Sequence, residues 1–193
     1  NGEEILLPKF DFAKGARYFD GTKIKLQEND ILIMEGIHAL NPQLTASIER
    51  DKKFLVYASA LTSLSIDENN YISTSDNRLL RRMVRDNNFR GTSAEQTIQR
   101  WASVRRGEYN NIFPFQENAD AMFNSSLLYE LPLLKHYAEP LLRRISPTSP
   151  VYAESLRLLK FLSYTVELNS QEQSAIPPTS VLREFIGNSS FKY

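Results

Sequence analysis

The stretch Ile31-Leu32-Ile33-Met34-Glu35-Gly36 runs four apolar residues directly into a carboxylate and a glycine. A carboxylate at the C-terminal end of a buried parallel strand lies where ligands bind in open α/β sheets. There it suits Mg2+, which prefers oxygen ligands and keeps much of its water. A solvated strand end that happens to carry a glutamate fits the same six residues, and they do not choose between the two.

A second group is cationic. At about 100° per residue, Arg78, Arg81, Arg82 and Arg85 share one arc of a helix, with Leu79, Leu80, Met83 and Val84 opposite. Guanidinium forks on one side suit phosphate oxygens, which arginine binds bidentately. The alternative is a solvated helix face, the usual fate of a charge run. Eight arginines lie between Arg78 and Arg106, against only two acids, Asp86 and Glu95. Arg90, before Gly91, adds a fifth positive group at a turn. Arg105 and Arg106, with Trp101 and Tyr109, could stack on bases or line an ordinary amphipathic helix. His38 and His136 are too few for a histidine metal site. His136 reads as structural, and His38 follows Glu35 by three residues on the same loop.

These residues need elements to hold them. Residues 5–26 read as short strands, "ILLPKFDF", "ARYFD" and "TKIKL", with turns at Lys14-Gly15 and Asp20-Gly21. "DILIMEG" and "KKFLVYASA" have the unbroken apolar pattern of strands buried on both faces of a parallel sheet. From Asp76 the period becomes helical, with Ser75 or Asp76 as N-cap. A second helix is predicted from Ser93 towards Asn110, with Glu95 favouring its first turn. "ADAMFNSS" reads as another short strand. "YELPLLKHYAEPLLRRI" and "VYAESLRLLKFLSYTVEL" read as helices joined by "SPTSP", the first shortened or kinked by Pro132 and Pro140. "SQEQSAIPPTS" reads as a mobile loop before the closing "VLREFIGNSSFKY". Strands alternating with helices make the class α/β.

With 193 residues, 41% of them hydrophobic and 24% charged, the chain can bury one sizeable core as a soluble globular protein. Its 23 basic and 23 acidic residues predict no polyanionic partner from net charge. The absence of cysteine excludes disulfides and thiolate metal sites and fits a reducing cytoplasm. No apolar run approaches the roughly 20 residues of a membrane span, and "NGEEILLPKF" is no signal peptide. The chain opens in what reads as a turn before a strand, so we expect a piece of a longer protein. The phosphate-loop motif G-x-x-x-x-G-K-[ST] does not occur; Gly15, Gly21, Gly91 and Gly107 lack its context.

In order, "LPKFDFAKGAR", "ILIMEGIHAL", "DNRLLRRMVRDNNFRG" and "NADAMFNSS" resemble the uridine kinase and phosphoribulokinase family over roughly residues 5–130. The tail "LREFIGNSSFKY" is similar to bacterial homologues that carry N-terminal domains related to those of threonyl-tRNA synthetase. The resemblance implies a phosphate-loop-kinase-like, mostly parallel sheet flanked by helices. A small N-terminal antiparallel hairpin and an arginine-rich helical lid would accompany it. It implies a partial kinase domain over residues 1–146: substrate hairpin 5–26, core strands within 31–60 and 119–125, lid 76–110. Residues 147–193 would be a helical extension. Family members transfer the γ-phosphoryl of ATP to a nucleoside or sugar hydroxyl, using Mg2+. By that likeness Glu35 helps hold the metal, while Phe10, Asp11 and Arg17 face the acceptor. Arg82 reaches acceptor and phosphate, Arg85 and Arg90 reach the transferring phosphoryl, and Asn124 and Ser125, in the loop to Ser126, lie near adenine.

Gly15 stands where uridine kinases carry a base-contacting histidine, and Thr92 and Arg100 replace an arginine and a glutamine. These departures leave the acceptor open among nucleosides and related hydroxyl compounds. The phosphate loop and the acid that activates the acceptor precede this stretch in the family, so the chain alone is expected to be inactive. Sheet edges left open would favour homo-oligomers. The alternative from another class is a module that binds RNA or another phosphate polymer through the arginine helix and Trp101.

Overall fold

A computed structural model describes residues 2–11, 14–62 and 64–192. Phe12, the end of the expected first strand, lies outside the described residues, as do Ala13 and Tyr193. The chain divides into two compact units, Asn1–Ala39 and Leu40–Tyr193.

The first unit is a hairpin and an extended tail. Strands β1 (Ile5–Asp11) and β2 (Ala16–Ile24) pair antiparallel, with Phe10 opposite Arg17 and Asp11 opposite Ala16 at the closed end. Gly15 takes φ 63° at the turn, a left-handed conformation open to glycine at no steric cost. Asp20-Gly21, expected as a second turn, instead forms an irregularity inside one continuous strand. The register shifts between Leu6, opposite Lys23, and Pro8, opposite Phe19. Pro8 has no N–H to offer the ladder, and Gly21 supplies φ 89°. Lys9 Nζ holds Asp20 Oδ2 at 2.6 Å, and Asp20 Oδ1 accepts from Thr22 N at 3.0 Å. The Lys9 ammonium, then the Thr22 donors, hold the Asp20 carboxyl well below the usual carboxylate range.

Ile31–Gly36 does not form the expected strand. It runs without regular structure, and Ile31 and Ile33 are 90% and 88% exposed. A buried strand exists only where neighbours on both edges take its N–H and C=O groups. Among the described residues no strand pairs with this run.

The second unit is built on helices. Of the expected mostly parallel sheet, the described residues form the parallel pair β3 (Val56–Ser59) and β4 (Ala121–Asn124), in register from Val56 opposite Ala121 to Ser59 opposite Asn124. Tyr57 is buried, but Val56, Met122 and Phe123 are exposed, so these strands are not covered on both faces. Asp120 fixes the entry to β4: its Oδ2 accepts from Leu55 N at 2.7 Å and its Oδ1 from Arg50.

Helix α1 (Thr74–Phe89) starts earlier than expected. Ser73 is the N-cap, its hydroxyl accepting from Asp76 N at 3.3 Å. Helix α2 (Ala94–Asn111) opens on a Ser93/Gln96 capping box, and Glu95 sits in its first turn as predicted. Helix α3 (Glu130–Arg143) runs through Pro140, and α4 (Tyr152–Ser163) stops short of the expected Val166 and Leu168. The segment read as a mobile loop contains a short helix, α5 (Ser170–Ser174), with an Asn169/Glu172 capping box, followed by buried Ile176. The capping box was present in the sequence, hidden by the surrounding polar residues. Helix α6 (Arg183–Ile186) ends on Gly187 at φ 92°. Among the described residues no helix is long and apolar enough to cross a membrane.

One core gathers these helices. Leu79, Leu80, Met83 and Val84 of α1 are fully buried, as the helical arc predicted. They join Ile98 and Trp101 of α2, Leu133, Leu134 and Leu142 of α3, Leu158 and Leu162 of α4, then Leu182 and Phe185. Arg157 of α4 reaches the first turn of α1, donating from Nη1 to Asp76 Oδ2 at 2.8 Å and from Nη2 to Asp76 Oδ1 at 2.7 Å.

A charge sits inside this packing. Arg81 is buried, and its Nε and Nη2 donate to the two carboxylate oxygens of Glu130, the latter at 2.6 Å. Its Nη2 also donates to Ser125 O at 2.9 Å and its Nη1 to Ser125 Oγ at 3.3 Å. Removing one member strands the other charge in the core, so Glu130→Ala should lower unfolding free energy by about 3–5 kcal/mol. Urea denaturation of Glu130→Ala, Arg81→Met and the double variant checks this. The double variant should lose clearly less than the sum of the two single losses.

Candidate functional site

The arginines of α1 do not form a bare cationic face. Arg78 Nη1 donates to Glu108 Oε2 at 2.8 Å, and Nη2 binds the other oxygen, giving a fork-to-fork pair with α2. Arg81 is held by Glu130 of α3. Both compensating acids lie outside the Arg78–Arg106 window and come close only through folding.

The three arginines expected to be catalytic, Arg82 toward the acceptor and Arg85 and Arg90 toward the transferring phosphoryl, are brought together. Arg82 Nε donates to Asp86 Oδ2 at 3.2 Å, and Arg90 Nη1 to Asp86 Oδ1 at 3.3 Å, one helical turn either side of the acid. Arg85 Nε lies 3.9 Å from Asp86 Oδ1, and its Nη1 donates to Glu184 Oε1 at 2.9 Å. Among the described residues, three guanidinium groups thus meet two carboxylates. Asp86 is buried, whereas Arg82 and Arg90 keep about a third of their side chains in solvent. Burial first, then the nearby charge of Arg85, presses the Arg90 guanidinium below its ordinary value. Such a cluster can exchange an internal carboxylate contact for an external oxyanion.

Phe185 completes the site from below. Its ring lies 5.3 Å from Arg81 Cζ and 5.9 Å from Arg85 Cζ, within cation–π range of both. Asn88 Nδ2 donates to Phe185 O at 3.1 Å, fixing α6 against α1. Sequence reading singled out neither Phe185 nor Glu184. They are 95 or more residues from the arginines they meet, and no local pattern joins them. The role of Asp86 was also missed, although its i to i+4 spacing to both Arg82 and Arg90 is a local signal that could have shown it.

Asn124 and Ser125, expected near adenine, both take structural bonds. Asn124 Oδ1 accepts from Leu61 N and Ser126 N, each at 3.0 Å, and its Nδ2 donates to Leu61 O at 2.8 Å. Ser125 N donates to Ser59 O at 2.8 Å, and its carbonyl and hydroxyl serve Arg81.

In the first unit, Phe10 and Arg17 form a cross-strand pair beside Asp11, whose Oδ1 accepts from Lys14 N at 3.0 Å. Phe10 is exposed, and the hairpin therefore presents an aromatic ring, a guanidinium and a carboxylate within two rungs of the ladder. Glu35 is exposed on the irregular run before the turn at 37–40. Among the described residues no group of three or more His, Asp or Glu side chains could hold a metal ion. A lone carboxylate suits Mg2+ only as one ligand among waters and phosphate oxygens.

Trp101 is 9% exposed and packs in the core, so it is closed to stacking on a base. Tyr109 is 74% exposed, and Arg100, Arg105 and Arg106 are exposed and make no ion pair among the described residues.

The profile of the phosphoribulokinase / uridine kinase family matches residues 1–128. A uridine kinase of Staphylococcus carnosus (strain TM300) is 30% identical over 122 residues, covering 62% of this chain and 50% of the relative. A uridine kinase of Staphylococcus haemolyticus (strain JCSC1435) is 29% identical over the same length and coverage. The chain therefore spans about half the length of the curated relatives it matches. No solved structure matches it. With two thirds of its residues inside the family profile, the chain belongs to the phosphoribulokinase / uridine kinase family.

Proposed function

We propose that this chain is part of an ATP-dependent kinase that transfers the γ-phosphoryl group to a hydroxyl of a nucleoside or related small molecule. The observation that carries this reading is the convergence of Arg82, Arg85 and Arg90 on Asp86 in a chain of this family. In phosphoryl transfer the acceptor oxygen bonds to phosphorus as the bond to the bridging oxygen of the leaving diphosphate breaks. Negative charge spreads over the oxygens of the moving group, and the protein contributes mainly position and positive charge. Arg82, Arg85 and Arg90 supply that charge in this reading. Phe10 stacks on the acceptor, with Asp11 and Arg17 as its polar contacts. Glu35 contributes one oxygen to Mg2+, which when bound neutralises phosphate charge. Asn124, through its side-chain bonds to Leu61 and Ser126, and Ser125 shape the turn beside adenine.

The test is a magnesium-ATP phosphoryl-transfer assay over a panel of nucleosides and sugars. It compares this chain with a version extended upstream to include any phosphate loop its gene encodes. The chain alone should turn over at a small fraction of the extended rate, because the motif whose backbone amides and lysine grip ATP is not in its sequence. Equal rates, or no turnover by either with any acceptor, would overturn the reading. In the extended protein, Arg82→Gln and Arg90→Gln should each lower kcat by about 100-fold. Their melting temperatures should stay close to that of the unaltered protein, since neither side chain is buried.

A second reading rests on the exposed Arg100, Arg105, Arg106 and Tyr109 of α2. Guanidinium groups without acid partners, beside an exposed aromatic ring, suit a phosphate polymer such as RNA. Salt separates the two readings. Binding of a polymer by three arginines should weaken with a log–log slope near −2 to −3. A flat slope for single-stranded RNA removes this reading.

A further inference from the structure

Four acids compensate the arginines of α1 and its C-cap, and one differs from the rest. Asp86, Glu108 and Glu130 are buried, whereas Glu184 is partly exposed and belongs to a helix of four residues. Its carboxylate holds Arg85 Nη1 at 2.9 Å. One face of that guanidinium lies against the Phe185 ring, and Nε is buried without a hydrogen-bond partner, 3.9 Å from Asp86 Oδ1. The edge that an incoming oxyanion could grip bidentately is therefore the Nη edge, where Glu184 already sits. Besides this ion pair, α6 is held to α1 by the Asn88 bond to Phe185 O and by the buried Phe185 ring. A single helical turn does not persist once detached from its support.

We infer that Glu184 is an internal anion that occupies the phosphate position on Arg85, so that docking of α6 and binding of a phosphate ligand at the arginine cluster compete. This rests on the reading of Arg82, Arg85 and Arg90 as a phosphate site and adds a regulatory element to it. With no ligand, Glu184 pairs with Arg85 and α6 closes on α1. A polyphosphate that takes the Nη edge of Arg85 releases Glu184, and the C-terminal segment loosens as the site fills. Coupling of this kind is reciprocal: whatever holds α6 down weakens the phosphate site, and the converse.

The experiment uses inorganic tripolyphosphate, titrated calorimetrically at fixed ionic strength into the full chain, Glu184→Gln and Glu154→Gln. The last removes the same charge from a carboxylate that pairs with Arg157, away from the cluster. Glu184→Gln should bind about threefold to fivefold more tightly than the unaltered chain, the range expected for loss of one partly exposed ion pair. Glu154→Gln should match the unaltered chain. Hydrogen exchange gives a second readout: the Gly187 amide, bonded to Arg183 O at 2.8 Å, should exchange faster when tripolyphosphate is added. Equal affinity in all three proteins overturns the competition and leaves the phosphate site standing. Weaker binding by Glu184→Gln also overturns it, because Glu184 would then orient Arg85 for the ligand. A Gly187 amide that stays protected at saturation overturns it too. No binding by any of the three overturns the phosphate site and the competition together.

Discussion

A guanidinium cannot be left alone among leucines, and Arg81 lies on a helix whose neighbours Leu79, Leu80, Met83 and Val84 are fully buried. Its solution determines much of the second unit. Glu130, at the first turn of α3, supplies both carboxylate oxygens, and Ser125, just past β4, supplies a carbonyl and a hydroxyl. The Phe185 ring closes over the cation. One side chain thus requires α1, the end of β4, the start of α3 and α6 to converge. Apolar packing alone tolerates many arrangements of similar volume, but a buried charge with four satisfied donor contacts tolerates few.

The same logic extends along α1. Each of its arginines meets a carboxylate from another part of the chain or from one turn away. A helix that offers guanidinium groups to a ligand while packing in a core needs its charge balanced when no ligand is bound. Acids of graded burial provide that balance. Glu130 and Glu108 are buried and serve the fold. Asp86 organises the three arginines of the candidate site, and Glu184, nearest to solvent, lies on a helix of four residues. Helix α2 contrasts with this, because its exposed arginines meet no acid among the described residues and its apolar side packs as an ordinary amphipathic helix.

The hairpin of the first unit positions its groups by a different device. Cross-strand register, set by the Gly15 turn and the irregularity at Pro8 and Gly21, places Phe10 opposite Arg17 and Asp11 on the adjoining rung. Ladder geometry fixes the relative position of such side chains closely without any buried core. It suits a surface that must meet a small, partly apolar ligand.

Local features were legible in the sequence because their causes are local. The apolar arc of α1, the Ser93 start of α2 and the turn at Lys14-Gly15 follow from helical period, capping and turn chemistry. The ordered family motifs pointed to a family that the profile match bears out, and they marked the arginines that the fold brings together. What failed to read correctly depends on partners distant in the chain. Ile31–Met34 has the composition of a central strand but, among the described residues, none of the neighbours that make one. The arginine face looked uncompensated because Glu108, Glu130 and Glu184 lie beyond any local window. Hydrogen-bond complements and counter-charges are chosen by the tertiary structure, since only folding brings together groups that chain entropy otherwise keeps apart. The sequence by itself determined which side chains carry positive charge along α1; the tertiary structure decided which carboxylates pair with them, because only folding brings Glu108, Glu130 and Glu184 within reach.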